Sequence, residues 1–253
     1  MNNLENNPND STAQIYDRMT NPLKGQAVTD SEITLINFLA EPGGSILDIG
    51  AGTGRHAVIL AQLDYKVTAI DSSKKMLAEL KEKAKDANVL KKIKIISGNI
   101  LKTNLLLPTS NFELIILMWN SFNEICLTKP DAIKLLKMLK KLLVQNGRII
   151  INIDDANLVD PSNFNFSTEY FQNNKSYKVN WTTRDYDKKT NTSISKEKVS
   201  IFENGELLEE KTSLIKQRYW NSLDIKKIAE SLGFVFENRK LRTSTEDYII
   251  LSF

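Results

Sequence analysis

Between Ser45 and Leu63 the chain passes from a short apolar run into a turn with three glycines in five positions, Gly50-Ala51-Gly52-Thr53-Gly54, and then into an amphipathic segment. Glycine admits positive φ and lets a ligand approach the main chain closely. A strand, a glycine turn and a helix in that order restrict the fold strongly. They place a ligand-binding turn at the carboxyl edge of the first strand of a parallel sheet.

The rest of the chain follows that rhythm. Ser45–Ile49, Lys66–Ile70, Ile93–Ser97, Leu114–Met118 and Arg148–Ile153 read as strands. The intervening helices are Gly54–Leu63, a helix capped by Ser72 and reaching about Ala87, and Asp131–Leu143. The apolar stripes Met76, Leu77, Leu80, Ala84 and Ala132, Leu135, Leu136, Leu139, Leu142 face lysines at helical spacing. Such alternation predicts an α/β, doubly wound, mostly parallel sheet. A short helix at Gln14–Met19 and another from Asp30 or Ser31 to about Ala40 precede it, and the polar first dozen residues are expected to be disordered.

The pattern breaks after Asp155. Lys178–Tyr186, Ser193–Phe202 and Leu207–Trp220 read as antiparallel strands, with Asn204-Gly205 as a hairpin signal. A helix at Asp224–Leu232 and strands near Val235–Leu241 and Tyr248–Phe253 then resume the α/β pattern. The expected organisation is a tail and lid segment at 1–29, a Rossmann-like domain at 30–155 and 222–253, and a β-rich insertion at 156–221 that covers the substrate.

Composition removes whole chemistries. One Cys among 253 residues leaves no disulfide framework and no multi-Cys metal site, and one His leaves no His-cluster metal site, so no metal is expected. The net charge of +3, from 34 basic and 31 acidic residues, is spread widely, so nucleic acid is not an expected partner. No signal peptide or membrane-length apolar run is present, which suggests a cytoplasmic protein. Whether it is a monomer or a homodimer is left open.

In a dinucleotide fingerprint the third glycine stands three positions after the second; here that position is Arg55. The arrangement therefore favours a nucleoside ligand without phosphates over a nicotinamide cofactor. Asp71 ends the second strand, where a carboxylate can accept hydrogen bonds from both ribose hydroxyls. Asp48 can hold the turn or pair with a cationic ligand.

Asp48-Ile49-Gly50-Ala51-Gly52-Thr53-Gly54, followed by Ala69-Ile70-Asp71-Ser72-Ser73-Lys74-Lys75-Met76-Leu77, resembles the class I S-adenosylmethionine-dependent methyltransferases of small-molecule type. The resemblance covers about 42–155 and 222–253. It implies a seven-stranded sheet with an antiparallel last strand. It also implies S-adenosylmethionine as cofactor, with S-adenosylhomocysteine as product. Gly50 and Gly52 would approach the methionine moiety and Asp71 the ribose. Asn99 stands where the family often has an acid that touches the adenine amine. Ala51, Gly54, Ser72, Met76 and Ile100 complete the expected cofactor shell. Tyr16 belongs to a segment similar to the family's N-terminal lid; it either approaches the cofactor or staples the following helix.

The acceptor is expected beyond strand four. Trp119 would face adenine or sulfonium, and Asn120, Phe122 and Asn123 the substrate, although Trp119 and Phe122 also suit a core. The proline-containing slot of base-amino methyltransferases is missing there. Arg184, Tyr186, Arg218 and Trp220 of the insertion are further substrate candidates, the arginines for an anion. No base stands out; Tyr16, Asn120 and His56 are the candidates. The expected reaction is in-line methyl transfer to N or O of a small acceptor. An RNA or protein methyltransferase, or a non-catalytic S-adenosylmethionine-binding protein, are the alternatives.

Overall fold

A computed structural model describes residues 7–102, 107, 111–172 and 174–253. Strands β1 (Ser45–Ile49), β2 (Lys66–Asp71), β3 (Ile93–Ser97), β4 (Phe112–Leu117) and β5 (Leu143–Ile153) run parallel, and β10 (Val235–Lys240) and β11 (Asp247–Ser252) complete a seven-stranded sheet. Its order is β10-β11-β5-β4-β1-β2-β3, and β11 runs antiparallel to both neighbours. The order reverses beside β1, so β1 and β4 part at their carboxyl ends and open a crevice there.

Helices cover both faces because the strands are apolar on both. On one face α4 (Ser121–Ile125), α5 (Lys129–Leu142) and α6 (Ser222–Ser231) pack on Leu47, Ile115 and Ile151. On the other, α1 (Tyr16–Leu39), α2 (Arg55–Gln62) and α3 (Lys74–Asp86) pack on Ile46, Ala69 and Ile116. The α5 stripe is wholly buried at Leu135, Leu136 and Leu139, each such leucine contributing roughly 1.5–3 kcal/mol. A capping box between Thr128 and Asp131 starts that helix.

Four details depart from the sequence expectation. The two N-terminal helices are one element, α1, broken at Gly25 with φ 68°. Ser73, not Ser72, caps α3, its hydroxyl accepting from the Met76 amide at 3.0 Å. Residues 8–11 form a 3-10 turn rather than a disordered tail; the expectation for residues 1–6 lies outside the described residues. The insertion carries four strands, β6 (Asn165–Gln172), β7 (Lys175–Asp187), β8 (Thr192–Glu203) and β9 (Glu206–Arg218), in that order. The inner face of this second sheet packs Val179 and Val199 on Ile15 and Met19 of the N-terminal segment. The sheet thereby roofs the carboxyl edge of the first.

Candidate active site

The turn after β1 takes positive φ at Gly50, Gly52 and Gly54 (74°, 54° and 82°), a path that side chains rarely follow. Asp71 fixes it from β2. One carboxylate oxygen accepts from the Gly52 amide at 2.9 Å and the other from the Ser73 amide at 2.7 Å. Burial raises the Asp71 pKa despite these donors.

The turn lines a cleft with Asp48, Ala51, Asp71, Ser72, Met76, Asn99, Ile100, Tyr16 and Trp119. Gly54 does not line it. A Cβ there would meet Leu80 Cγ at 2.6 Å, so this glycine serves close packing of α2 against α3. His56 lines the cleft, with its Nε2 2.9 Å from Glu32.

The cleft fits S-adenosylmethionine. Asp48 is 2% exposed, and its Oδ2 has no hydrogen-bond partner among the described residues. Burial pushes its pKa up to about 6, opposed by nearby His56. A buried carboxylate with a vacant acceptor suits an ammonium group. Gly52 leaves open space where a side chain would project.

A second cavity of about 530 Å³ adjoins the first under the roof sheet. Asn9, Tyr16, Trp119 and Glu124 line both. Trp119 and Asn120 follow β4 with φ 52° and 62°, a strained pair held by β5. The Trp119 amide donates to Asn152 Oδ1 at 2.9 Å, and Asn120 Oδ1 accepts from the Asp154 amide at 2.8 Å. The Arg55 guanidinium lies 3.7 Å from the Trp119 ring centroid and donates to Thr20 at 2.7 Å, tying α1 to the rim. Beneath, Glu32 accepts from the Trp119 indole at 3.1 Å and the Tyr248 hydroxyl at 2.9 Å.

Of the expected substrate residues, Asn120 alone lines this second cavity. Phe122 and Trp220 are core residues in edge contact at 5.7 Å, and the Trp220 indole donates to the Cys126 carbonyl at 2.8 Å. Asn123 is fully buried. Arg184 sits exposed at a bulge in β7, which interrupts the strand alternation on which its orientation depended. Tyr186 hydrogen-bonds Asn191 at 3.1 Å, at the far end of the hairpin. Arg218 stacks over Trp220 at 4.1 Å. The roof instead supplies Trp181, Ser195, Glu197, Ile215, Gln217 and Tyr219.

Glu124, on the one-turn helix α4, was not singled out from the sequence. Burial pushes its pKa up to about 7, opposed by the Asn9 amide, which donates at 3.4 Å, and assisted by Asp71 and Glu197. Its only sequence signal was its place six residues beyond Met118. Tyr16 is pushed well above the ordinary phenol range, chiefly by burial.

Comparison with known proteins agrees with this geometry. Residues 46–147 match the family described as Methyltransferase domain. Among solved structures, the CcbJ methyltransferase from Streptomyces caelestis superposes with TM-score 0.76 at 18% identity over 98% of both chains. The S-adenosylmethionine-bound amino pentose methyltransferase CalS10 from Micromonospora echinaspora superposes with TM-score 0.70 at 11% identity, over 88% of this chain and 89% of that one. A dimethyladenosine transferase of Kluyveromyces lactis is 32% identical over 87 residues, 34% of this chain; the match spans 25% of that protein. Residues 46–147 thus carry a methyltransferase domain, and the chain has the fold of the class I S-adenosylmethionine-dependent methyltransferases on which it superposes, with a cleft that suits that cofactor.

Proposed function

We propose that this protein transfers a methyl group from S-adenosylmethionine to a nitrogen or oxygen of a small molecule. The observation that carries this reading is the wall shared by the two cavities: a molecule in the roofed cavity meets the cofactor cleft at Tyr16, Trp119 and Glu124. About 530 Å³ suits a metabolite of sugar size. The similar amino pentose methyltransferase supports an acceptor of that kind.

The cofactor supplies an already activated methyl group when bound, so the protein's part is to bind, orient and exclude water. Gly50, Gly52, Asp48, Asp71, Ser72, Met76, Asn99 and Ile100 would hold it. The Trp119 ring offers an aromatic face to positive charge at the rim. The turn at Pro8–Ser11 covers the cleft, with Asn7 donating to Ser72 at 2.7 Å. The dimethyladenosine transferase match does not favour a nucleic acid here: among the described residues, no Lys, Arg or His lines the acceptor cavity. No helix among the described residues is long and apolar enough to cross a membrane, and we place the reaction in the cytoplasm.

Isothermal titration with S-adenosylmethionine and S-adenosylhomocysteine tests the reading. Micromolar binding of both is expected, followed by a gain of one methyl on a metabolite detected by mass spectrometry. Absence of binding at millimolar concentration removes it.

A further inference from the structure

The acceptor cavity has a consistent electrostatic character. Five carboxylates line it, Glu124, Asp154, Asp160, Glu197 and Glu246, and no basic side chain does among the described residues. Five aromatic residues, Tyr16, Trp119, Phe164, Trp181 and Tyr219, stand among them. Carboxylates interleaved with aromatic faces form a binding environment for an organic cation and oppose an anion.

The boundary with the cofactor cleft narrows the chemistry further. Among the described residues, four face both spaces: Asn9, Tyr16, Trp119 and Glu124. Asn9 and Trp119 carry no titrating group. The Tyr16 phenol is kept protonated by burial and so donates rather than accepts a proton. His56 faces the cofactor cleft alone, against Glu32. Glu124 is the remaining acid–base group at the point where an acceptor atom would meet the methyl donor.

On the reading of this site as a small-molecule methyltransferase, we propose that its acceptor is an amine that enters as an ammonium ion, and that Glu124 takes its proton. One N–H bond of the ammonium breaks and the proton passes to a Glu124 carboxylate oxygen. The electron pair stays on nitrogen, which becomes the neutral nucleophile that the transfer requires. The carboxylate is suited to the task because its pKa, held near 7 by burial and by the neighbouring charges of Asp71 on β2 and Glu197 on β8, lies close to working pH. Asn9 and the Tyr16 phenol complete its surroundings; Arg55 acts on Tyr16 from the cofactor side.

The test uses the full chain loaded with S-adenosylhomocysteine and two matched probe pairs: 3-amino-3-deoxyglucose with glucose, and 5-aminopentanol with 1,5-pentanediol. At pH 8, where Glu124 is ionised, at least one amine should bind tenfold or more tightly than its alcohol. Glu124→Gln should cut that preference to about threefold or less. Calorimetry at pH 6, in buffers of differing ionisation enthalpy, should show proton release on amine binding. The release comes from Glu124, and it should vanish in Glu124→Gln and persist in Glu124→Asp. The proposal is overturned if the alcohols bind as well as the amines, if no probe binds, or if Glu124→Gln keeps both the preference and the proton release. The wild-type comparison stands even if a variant fails to fold. Failure of S-adenosylhomocysteine to bind would instead count against the methyltransferase reading itself.

Discussion

Ser121 sits directly against Gly50: a Cβ placed on Gly50 would lie 2.3 Å from the Ser121 hydroxyl oxygen. The first residue of α4 therefore packs on the bare backbone of the glycine turn, and both residues line the cofactor cleft. Gly50→Ala must either displace Ser121 or shift the turn, and its φ of 74° adds strain of about 1 kcal/mol. Affinity for S-adenosylhomocysteine is expected to fall at least tenfold by calorimetry. A second change, Ser121→Gly, should restore part of it by opening the space. Restoration by Ser121→Gly separates the steric cause from the strain, which that change leaves in place.

The parts of this arrangement legible in the sequence are those set by local pattern. Two-sided apolar strands, helical stripes and the glycine turn each specify their own geometry, and Asp71 follows from its place at the end of β2. The acceptor side is built from long-range pairings. Trp181 and Glu197 meet only because β7 pairs with β8 in one register. The bulge at Arg184 shifts that register locally, which a period-2 reading of β7 does not reveal. Strand β6 escaped notice because Asn165–Gln172 is an edge strand whose residues are largely exposed, Phe171 to 77%. Glu124 was hidden because a one-turn helix has no periodicity to read, and its pKa depends on Asn9 from a distant turn.

Asp48 makes stability and cofactor binding oppose each other with pH. Its pKa is raised from the usual carboxylate value to about 6 in the folded chain. Between about pH 4 and pH 6 the folded state thus holds a proton that the unfolded state has released. Stability falls as pH rises through that window, by about 3 kcal/mol in all. If the ionised carboxylate pairs with the ammonium of S-adenosylmethionine, affinity rises through the same window. Denaturant melts and titrations from about pH 4 to pH 7 should show the two opposite trends. Asp48→Asn should flatten both, leaving a more stable protein that binds weakly; a variant that retains the pH dependence of binding would reject the assignment.

Trp220 and Arg184 separate a structural residue from an idle one. Trp220 is 1% exposed and donates to Cys126 at 2.8 Å. Trp220→Leu removes that bond and leaves a void, which costs about 3 kcal/mol. Arg184→Ala, at an exposed bulge, should change stability by less than about 0.5 kcal/mol. Neither side chain reaches the acceptor cavity, so acceptor KM should stay within about twofold in both. Trp181→Ala, by contrast, strips a wall of that cavity and should raise KM at least tenfold.

Glu32 supplies the last expectation, because one wholly buried carboxylate serves three elements. It accepts from Tyr248 of β11 at 2.9 Å and from the Trp119 indole at 3.1 Å, and lies 2.9 Å from His56 Nε2 of α2. Glu32→Leu would leave these polar groups buried without that acceptor. Each donor left unsatisfied costs about 1–3 kcal/mol; the Tyr248 hydroxyl keeps Glu246 at 3.4 Å, so a loss of about 2–5 kcal/mol is expected. Glu32→Gln keeps a carbonyl acceptor for Trp119 and turns its amide toward the Tyr248 hydroxyl, which can accept; loss of the charge on the acceptor should cost about 1–2 kcal/mol in a denaturant melt. Because Trp119 lines both the cofactor cleft and the adjoining cavity, the same variant should lower kcat more than it raises KM for S-adenosylmethionine. An unchanged kcat alongside the lost stability would show that the network holds the fold without positioning Trp119.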